Sequence, residues 1–110
     1  MDHHNAAPRP QLGCYLLREV HEGRADGALI ALSAEQEPLI ASAAAILAVQ
    51  GYACRLLRMA DGSRFAAQPE AYRKRILPPG LPALAPQAGE TAAQLAARMV
   101  RTLRSGVIPC

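Results

Sequence analysis

Residues 53–80 read ACRLLRMADGSRFAAQPEAYRKRILPPG. The first part of this stretch is rich in branched and apolar residues and predicts a strand over 53–59. Residues 60–63 contain Asp and Gly and predict a turn. Proline is favourable in the first turn of a helix, so Pro69 predicts a helix over about 69–77. A strand followed by a turn and a helix is typical of an α/β domain.

Two strands and a long helix are predicted before this stretch. Residues 12–20 predict the first strand, and the continuous apolar run 28–32 predicts a strand that is buried on both faces. The helix extends from about residue 35 to Gln50, with Pro38 in its first turn and Gly51 as a left-handed C-cap. Its large and small apolar residues cover most of the helix circumference, which predicts a well-buried helix: Leu39, Ile40, Ala43, Ala44, Ile46 and Leu47.

After the quoted stretch, the chain continues through a proline-rich segment over residues 78–89. A fourth strand is predicted there, weak and confined to an edge of the sheet, because Pro82 and Pro86 cannot donate hydrogen bonds. The sequence Thr91-Ala92-Ala93-Gln94 has the capping-box pattern that opens a helix. This last helix has an apolar stripe, and the residues predicted to face away from it are Gln94, Arg98, Arg101 and Arg104.

Strands that alternate with helices predict a mainly parallel sheet with helices on both faces. The chain of 110 residues has room for one domain. We expect that domain over residues 12–106, preceded by a flexible polar arm over 1–11 and followed by a short tail over 107–110.

Composition excludes several classes of protein. A hydrophobic fraction of 51% with a net charge of +3 is too apolar for a disordered chain. The sequence contains no apolar run long enough to span a bilayer and begins without a secretory signal, so we expect a cytoplasmic protein with no membrane contact. The basic residues are dispersed and aromatic residues are few, which disfavours nucleic acid as a partner.

The apolar residues are unusually small. The chain has 23 alanines, one phenylalanine and no tryptophan. Burying an alanine removes little area from water compared with leucine or phenylalanine. The sequence therefore predicts a thin core, a monomer of low stability, and a homo-oligomer or a partner chain.

No catalytic, cofactor-binding or metal-binding residue can be assigned from the sequence. Cys14 and Cys54 lie in predicted strands, where a cysteine is most simply a small buried apolar residue, and Cys110 is the last residue. No histidine stands at metal-ligand spacing, and the sequence identifies no general base for any candidate nucleophile. His3 and His4 lie in the polar arm, and His21 lies in a turn.

A specific motif runs through residues 53–80. A strand ends in methionine, a turn carries Phe-x-x-Gln, and a helix continues as Ala-Tyr-Arg and Ile-Leu-Pro-Pro. This pattern resembles the C-terminal domain of transketolase and related thiamine-diphosphate enzymes, and Gly13-Cys14-Tyr15-Leu16-Leu17 is similar to that family's opening strand. The motif residues with structural roles in this resemblance are Met59, Phe65, Gln68, Tyr72, Arg73, Leu77 and Pro78.

The resemblance implies a three-layer α/β/α fold with a small mixed, mostly parallel sheet whose first strand is antiparallel. Three to four strands are expected, because the family's last strand and the loop before it have no counterpart after Gly89.

The resemblance also implies a function without catalysis by this chain. Transketolases transfer a two-carbon ketol unit between sugar phosphates, and the groups that hold thiamine diphosphate and a divalent metal belong to two preceding domains. We therefore expect a stand-alone accessory or dimerisation domain, whose partner is a second copy or a separate chain that carries the thiamine-diphosphate-binding domains.

Two alternatives remain open from the sequence. One is a small-ligand effector module at the corner between the second strand and the long helix, where Ser33 and Gln36 would meet the ligand. Ala34 and Glu35 disfavour an anion at this corner, because alanine lacks glycine's freedom and a carboxylate repels negative charge. The other alternative is a shortened remnant without a selected activity.

Overall fold

The computed structural model describes residues 12–19 and 25–105. Its sheet is mixed, with strand order β1-β3-β2-β4. β1 pairs antiparallel with β3, whereas β2 is parallel to both β3 and β4. The strands are β1 (Cys14–Arg18), β2 (Gly27–Ala31), β3 (Cys54–Met59) and β4 (Ala83–Leu84). The small mixed sheet with an antiparallel first strand confirms the predicted fold class, with four strands.

The described residues form four α-helices, of which the first three lie between strands and the last follows β4: α1 (Glu37–Val49), α2 (Gly62–Ala66), α3 (Glu70–Ile76) and α4 (Ala92–Ser105). A single 3-10 turn precedes α1, and Pro38 lies in the first turn of α1. α1 is followed by Gly51, whose φ of +92° is the left-handed conformation that the sequence predicted.

The prediction of a plain turn over residues 60–63 was wrong in its second half, because α2 already begins at Gly62. Asp61 is the cause. Its carboxylate accepts the backbone N–H groups of Ser63 at 3.0 Å and Arg64 at 3.2 Å, so it caps the helix.

The sheet separates two apolar clusters. On one face, which we call the long-helix face, α1 and α4 cover side chains of β2 and β3; its fully buried members include Leu29, Ile40, Leu47, Leu95 and Met99. On the other, the short-helix face, α2 and α3 cover Cys14, Ala28 and Leu57. Neighbouring strand residues such as Ala28 and Leu29 point to opposite faces, as the two-residue period of a strand requires. The architecture therefore has three layers.

β4 is the weak edge strand that the prolines predicted. It has two residues, and Leu84 pairs with Leu29 of β2. Pro82 still contributes to the ladder as an acceptor, because its carbonyl receives the N–H of Ala28 at 2.8 Å.

α1 is buried on one side only. The six apolar residues predicted to be buried are buried or half-buried, but Ser42, Ala45, Ala48 and Val49 are exposed. Val49 is 88% exposed. The expectation of a helix buried over most of its circumference was therefore too strong, since the sheet and α4 reach only part of its surface.

α4 opens as the capping-box pattern predicted. The Gln94 N–H donates to Thr91 Oγ1 at 3.1 Å, and the Thr91 N–H donates to Gln94 Oε1 at 2.9 Å.

Several predictions fall on residues outside the described ranges: the arm over 1–11, the tail over 107–110, His3, His4, His21 and Cys110. No helix among the described residues combines the length and the apolar character that a membrane crossing requires.

Candidate functional site

The polar and aromatic side chains of the motif in residues 53–80 lie on the short-helix face. Phe65 of α2 and Tyr72 of α3 meet edge to face, with ring centroids 6.2 Å apart and an interplanar angle of 68°. The Tyr72 hydroxyl donates to the carbonyl of Cys14 at 2.8 Å. The tyrosine thus ties α3 to the antiparallel strand β1.

Gln68 and Arg73 join the two short helices to each other. The Gln68 amide donates to the carbonyl of Arg64 at 3.0 Å, so it satisfies an acceptor of the last turn of α2. Arg73 Nε donates to the carbonyl of Gln68, also at 3.0 Å. These bonds set the angle between α2 and α3 through backbone carbonyls.

The apolar members of the motif complete the same layer. Met59 and Leu77 are half-buried against the apolar cluster under α2 and α3. The carbonyl of Pro78 accepts the N–H of Leu81 at 3.1 Å and closes the turn that follows α3. Every side chain or carbonyl of the motif named here has a contact within the domain, and none of them pairs an acid with a nucleophile.

Arg55 is an anchor of this face that sequence reasoning missed. Its Nη1 donates to the carbonyls of Arg75 at 2.7 Å and Ile76 at 2.9 Å, and its Nη2 bonds Glu19 at 2.7 Å. The guanidinium therefore satisfies carbonyls at the C-terminal end of α3, where a positive charge is favourable. The signal available in the sequence was the presence of arginines, Arg55 and Arg58, inside a mostly apolar strand.

The strand-to-helix corner that carries Ser33 and Gln36 is closed by its own bonds. Gln36 Oε1 accepts the N–H of Leu32 at 2.8 Å, and the Gln36 N–H donates to the carbonyl of Ser33 at 3.1 Å. The nearby cation is also engaged, since Arg58 bonds Glu37 at 2.7 Å. The structure brings Ser33 and Gln36 together, but as parts of one backbone turn.

Cys14 and Cys54 are buried, as predicted. Burial raises the pKa of each thiol to about 11, and the carboxylate of Asp26 contributes to the increase at Cys54. Both sulfurs therefore remain protonated near neutral pH, and a protonated thiol is a poor nucleophile.

A polar cavity of about 500 Å³ lies between the turn over 87–90 and α4. Arg98, predicted to face away, bonds Glu90 with two nitrogens: Nε to Oε2 at 2.9 Å and Nη2 to Oε1 at 2.8 Å. Arg98 Nη2 also donates to the carbonyl of Ala85 at 2.7 Å. Arg98 lies off the apolar stripe, as predicted, but it is largely covered because the segment before α4 folds over it and supplies acceptors that a helical wheel does not show.

The hydrogen bonds from Arg98, reinforced by the N–H of Gln87, lower the pKa of Glu90 to about 2. The same contacts raise the pKa of Arg98. The Glu90 side chain is only 8% exposed, so the ion pair holds the carboxylate out of water in its charged form.

Residues 13–106 match the family described as the Transketolase-like TK C-terminal domain. The chain belongs to this family. The match includes all of the motif residues and every described strand and helix. Of the described residues, Leu12 alone lies outside it. The resemblance read from residues 53–80 is thereby confirmed.

Curated transketolases are similar to the chain over most of its length. The plasmid-borne transketolase of Cupriavidus necator is 43% identical over 89 residues, which cover 79% of this chain and 13% of that protein. The transketolase of Rhodobacter capsulatus is 39% identical over 77 residues, which cover 70% of this chain and 11% of that protein. The chain thus corresponds to about an eighth of the length of the first of these relatives.

Solved transketolases share the fold. A variant of the Pichia stipitis transketolase, solved in complex with fructose 6-phosphate, has a TM-score of 0.74 at 21% identity and covers 86% of this chain and 18% of its own. The transketolase of Leishmania mexicana has a TM-score of 0.60 at 28% identity, with 69% of this chain and 11% of that chain covered.

The thiamine diphosphate and the divalent metal that the family resemblance implies were expected on other domains and not on this chain. Over residues 12–19 and 25–105, no three His, Cys, Asp or Glu side chains come together as metal ligands. Three of the described acidic residues, Glu19, Glu37 and Glu90, instead pair with arginines of the same domain. The described residues therefore bring together no set of ligands for a divalent metal.

Proposed function

We propose that the chain is an accessory domain of a transketolase-type enzyme that has no catalytic group of its own. In this proposal it packs against the domains that bind thiamine diphosphate and the divalent metal, and it supports their association. The observation that carries the proposal is the use of the family motif: Tyr72, Gln68 and Arg73 all bond backbone carbonyls within the domain. Side chains that bond internal carbonyls stabilise the fold of the domain, and they are not free to bind substrate.

The exposed side of α1 supports the need for a partner. Glu37, in the first turn, is the only charged residue of this helix. Ala45, Ala48 and Val49 are exposed on its outer side. Such an apolar surface has little favourable hydration to lose when it is buried, and its small residues permit close approach of another element. We assign this side of α1 to the contact with the rest of the enzyme or with a second copy.

The direct test mixes the chain with a transketolase that lacks its own C-terminal domain. Co-elution in size-exclusion chromatography and an increase in ketol-transfer activity on mixing are the expected results. The chain alone should show no ketol transfer. Activity of the chain alone, or the absence of any association, would contradict the proposal.

A pair of variants locates the contact. Val49→Glu places a charge on the exposed side of α1 and should weaken association by about tenfold, because a carboxylate buried in an apolar contact loses its hydration. Ala71→Glu is the matched control: it is exposed on α3, on the opposite layer, and an acidic residue suits the first turn of a helix. Equal weakening of association in both variants would show that α1 is not part of the interface. Sedimentation of the chain alone tells whether a second copy is the partner.

A further inference from the structure

We propose that the cavity between the turn over 87–90 and α4 binds the phosphate group of a small molecule. The site is separate from the accessory role proposed above, since neither the motif of residues 53–80 nor the exposed side of α1 lines it. Nor does it involve the corner at Ser33 and Gln36.

Small residues create the space. Ala88, Gly89 and Ala97 line the cavity and leave a volume of about 500 Å³, within the range of small-molecule sites. Larger side chains at any of these positions would fill it. Gly89 has a φ of +74°, which a residue with a side chain adopts only with strain, so the turn itself favours the small residue.

The charges that line the cavity leave one cation in excess. Arg98 and Glu90 neutralise each other through their two-nitrogen contact. Arg101 also lines the cavity, is exposed, and has no ion pair among the described residues. Its positive charge also acts on the Glu90 carboxylate and helps to lower the pKa of Glu90. One negative and two positive groups make the cavity net positive.

The geometry favours an oxyanion. Both carboxylate oxygens of Glu90 are engaged by Arg98, and one of them also accepts the N–H of Gln87, so Glu90 has little capacity to attract a cation. Arg98 and Arg101 stand three positions apart on α4, where neighbouring guanidinium groups repel each other. A phosphate group beside them relieves this repulsion and accepts N–H groups from the Arg101 guanidinium and from Arg98 Nη1, the Arg98 nitrogen that Glu90 and Ala85 do not engage. The Gln94 side chain lines the same wall.

The test is an NMR titration of the full 110-residue chain with inorganic phosphate, against sodium chloride at matched ionic strength. Phosphate should shift the amide signals of residues 87–101 in a saturable way that chloride does not reproduce. Because the cavity is open to solvent, we expect millimolar affinity that weakens with added salt. No saturable shift in these signals up to tens of millimolar phosphate would overturn the proposal.

Three variants separate a site from general attraction to a basic surface. Arg101→Gln removes the unpaired cation and should weaken binding by about fivefold. Ala97→Leu keeps every charge but fills the cavity, and leucine is a good helix former, so binding should be lost with the helix intact. Arg104→Gln is the matched control, an exposed arginine on α4 that does not line the cavity. Equal weakening by Arg104→Gln, or full binding by Ala97→Leu, would show attraction to the surface and overturn the assignment.

Discussion

The two faces of the sheet are covered in different ways. The long-helix face is covered by α1 and α4, of 13 and 14 residues, whose buried side chains are apolar. The short-helix face is covered by α2 and α3, of five and seven residues. Helices that short are not stable by themselves in water. They are held instead by directed bonds to carbonyls, from Tyr72, Arg73 and Arg55.

This difference explains where the recognisable motif lies. Apolar packing tolerates exchange among residues of similar volume, so the long-helix face leaves only a general pattern in the sequence. A hydroxyl that reaches one particular carbonyl cannot be exchanged in the same way. The motif of residues 53–80 is specific because it belongs to the face that directed bonds hold together.

The largest effect should come from the packing of the long-helix face. Leu47 is fully buried in α1, and Leu47→Ala should lower the free energy of unfolding by about 3–5 kcal/mol, through lost burial and the cavity left behind. Urea denaturation measures the change. Val49→Ala, two positions along the same helix but exposed, should change stability by less than about 0.5 kcal/mol. Equal effects in the two variants would contradict the assignment of the core to this face.

A smaller loss is expected from a glycine on the short-helix face. Gly13 has a φ of +87°, and a Cβ there would overlap with the backbone of Phe65 and the carbonyl of Asp61. Gly13→Ala should therefore cost about 2–3 kcal/mol, through strain and displacement of α2. Gly51→Ala provides the comparison, because Gly51 also has a positive φ but nothing lies within 4 Å of the added Cβ. Its cost should be about 1 kcal/mol, and a Gly51→Ala variant as unstable as Gly13→Ala would refute the role of close approach.

Removing one directed bond should have a still smaller effect. Tyr72→Phe deletes the hydroxyl that donates to Cys14 and should lower the unfolding free energy by about 1 kcal/mol. Tyr52→Phe is the control on the long-helix face, where the half-buried ring packs against the apolar cluster. Hydrogen exchange should also show faster opening of α3 in Tyr72→Phe alone. Unchanged exchange in α3 would mean that the hydroxyl does not anchor it.

The smallest effect concerns pH. Glu90 has its pKa lowered from 4.5 to about 2 by Arg98, so it stabilises the folded state fully above pH 4.5 and loses this contribution as the pH falls toward 2. Glu90→Gln should therefore be less stable than the parent protein at neutral pH, and the difference should shrink with acidification through this window. Thermal melts at a series of pH values measure it. The exposed Glu35, replaced by Gln, should show little difference at any pH; a similar trend there would assign the effect to overall charge.

Runs of apolar residues and the prolines predicted the helices on both faces of the sheet and the weak fourth strand, whereas the resemblance to the family implied the antiparallel first strand. The sequence did not predict α2, whose five residues form a helix only because the Asp61 carboxylate caps them. Nor did it predict that Arg98 is covered by the preceding segment, since the acceptors at Ala85 and Glu90 come from a stretch with no regular period. The bond at the Gln36 corner was missed for a similar reason, because the spacing of residues does not show that the Gln36 side-chain oxygen accepts the N–H of Leu32, four residues earlier.

The fourth strand has a consequence for how the protein behaves at high concentration. Among the described residues β4 lies at one end of the sheet, where open strand edges commonly recruit other chains into aggregates. Here the edge is only two residues long, and Pro82 and Pro86 stand close on either side without an N–H to offer. An incoming strand would find too few donors to extend a ladder, so this edge acts as a barrier against fibril growth.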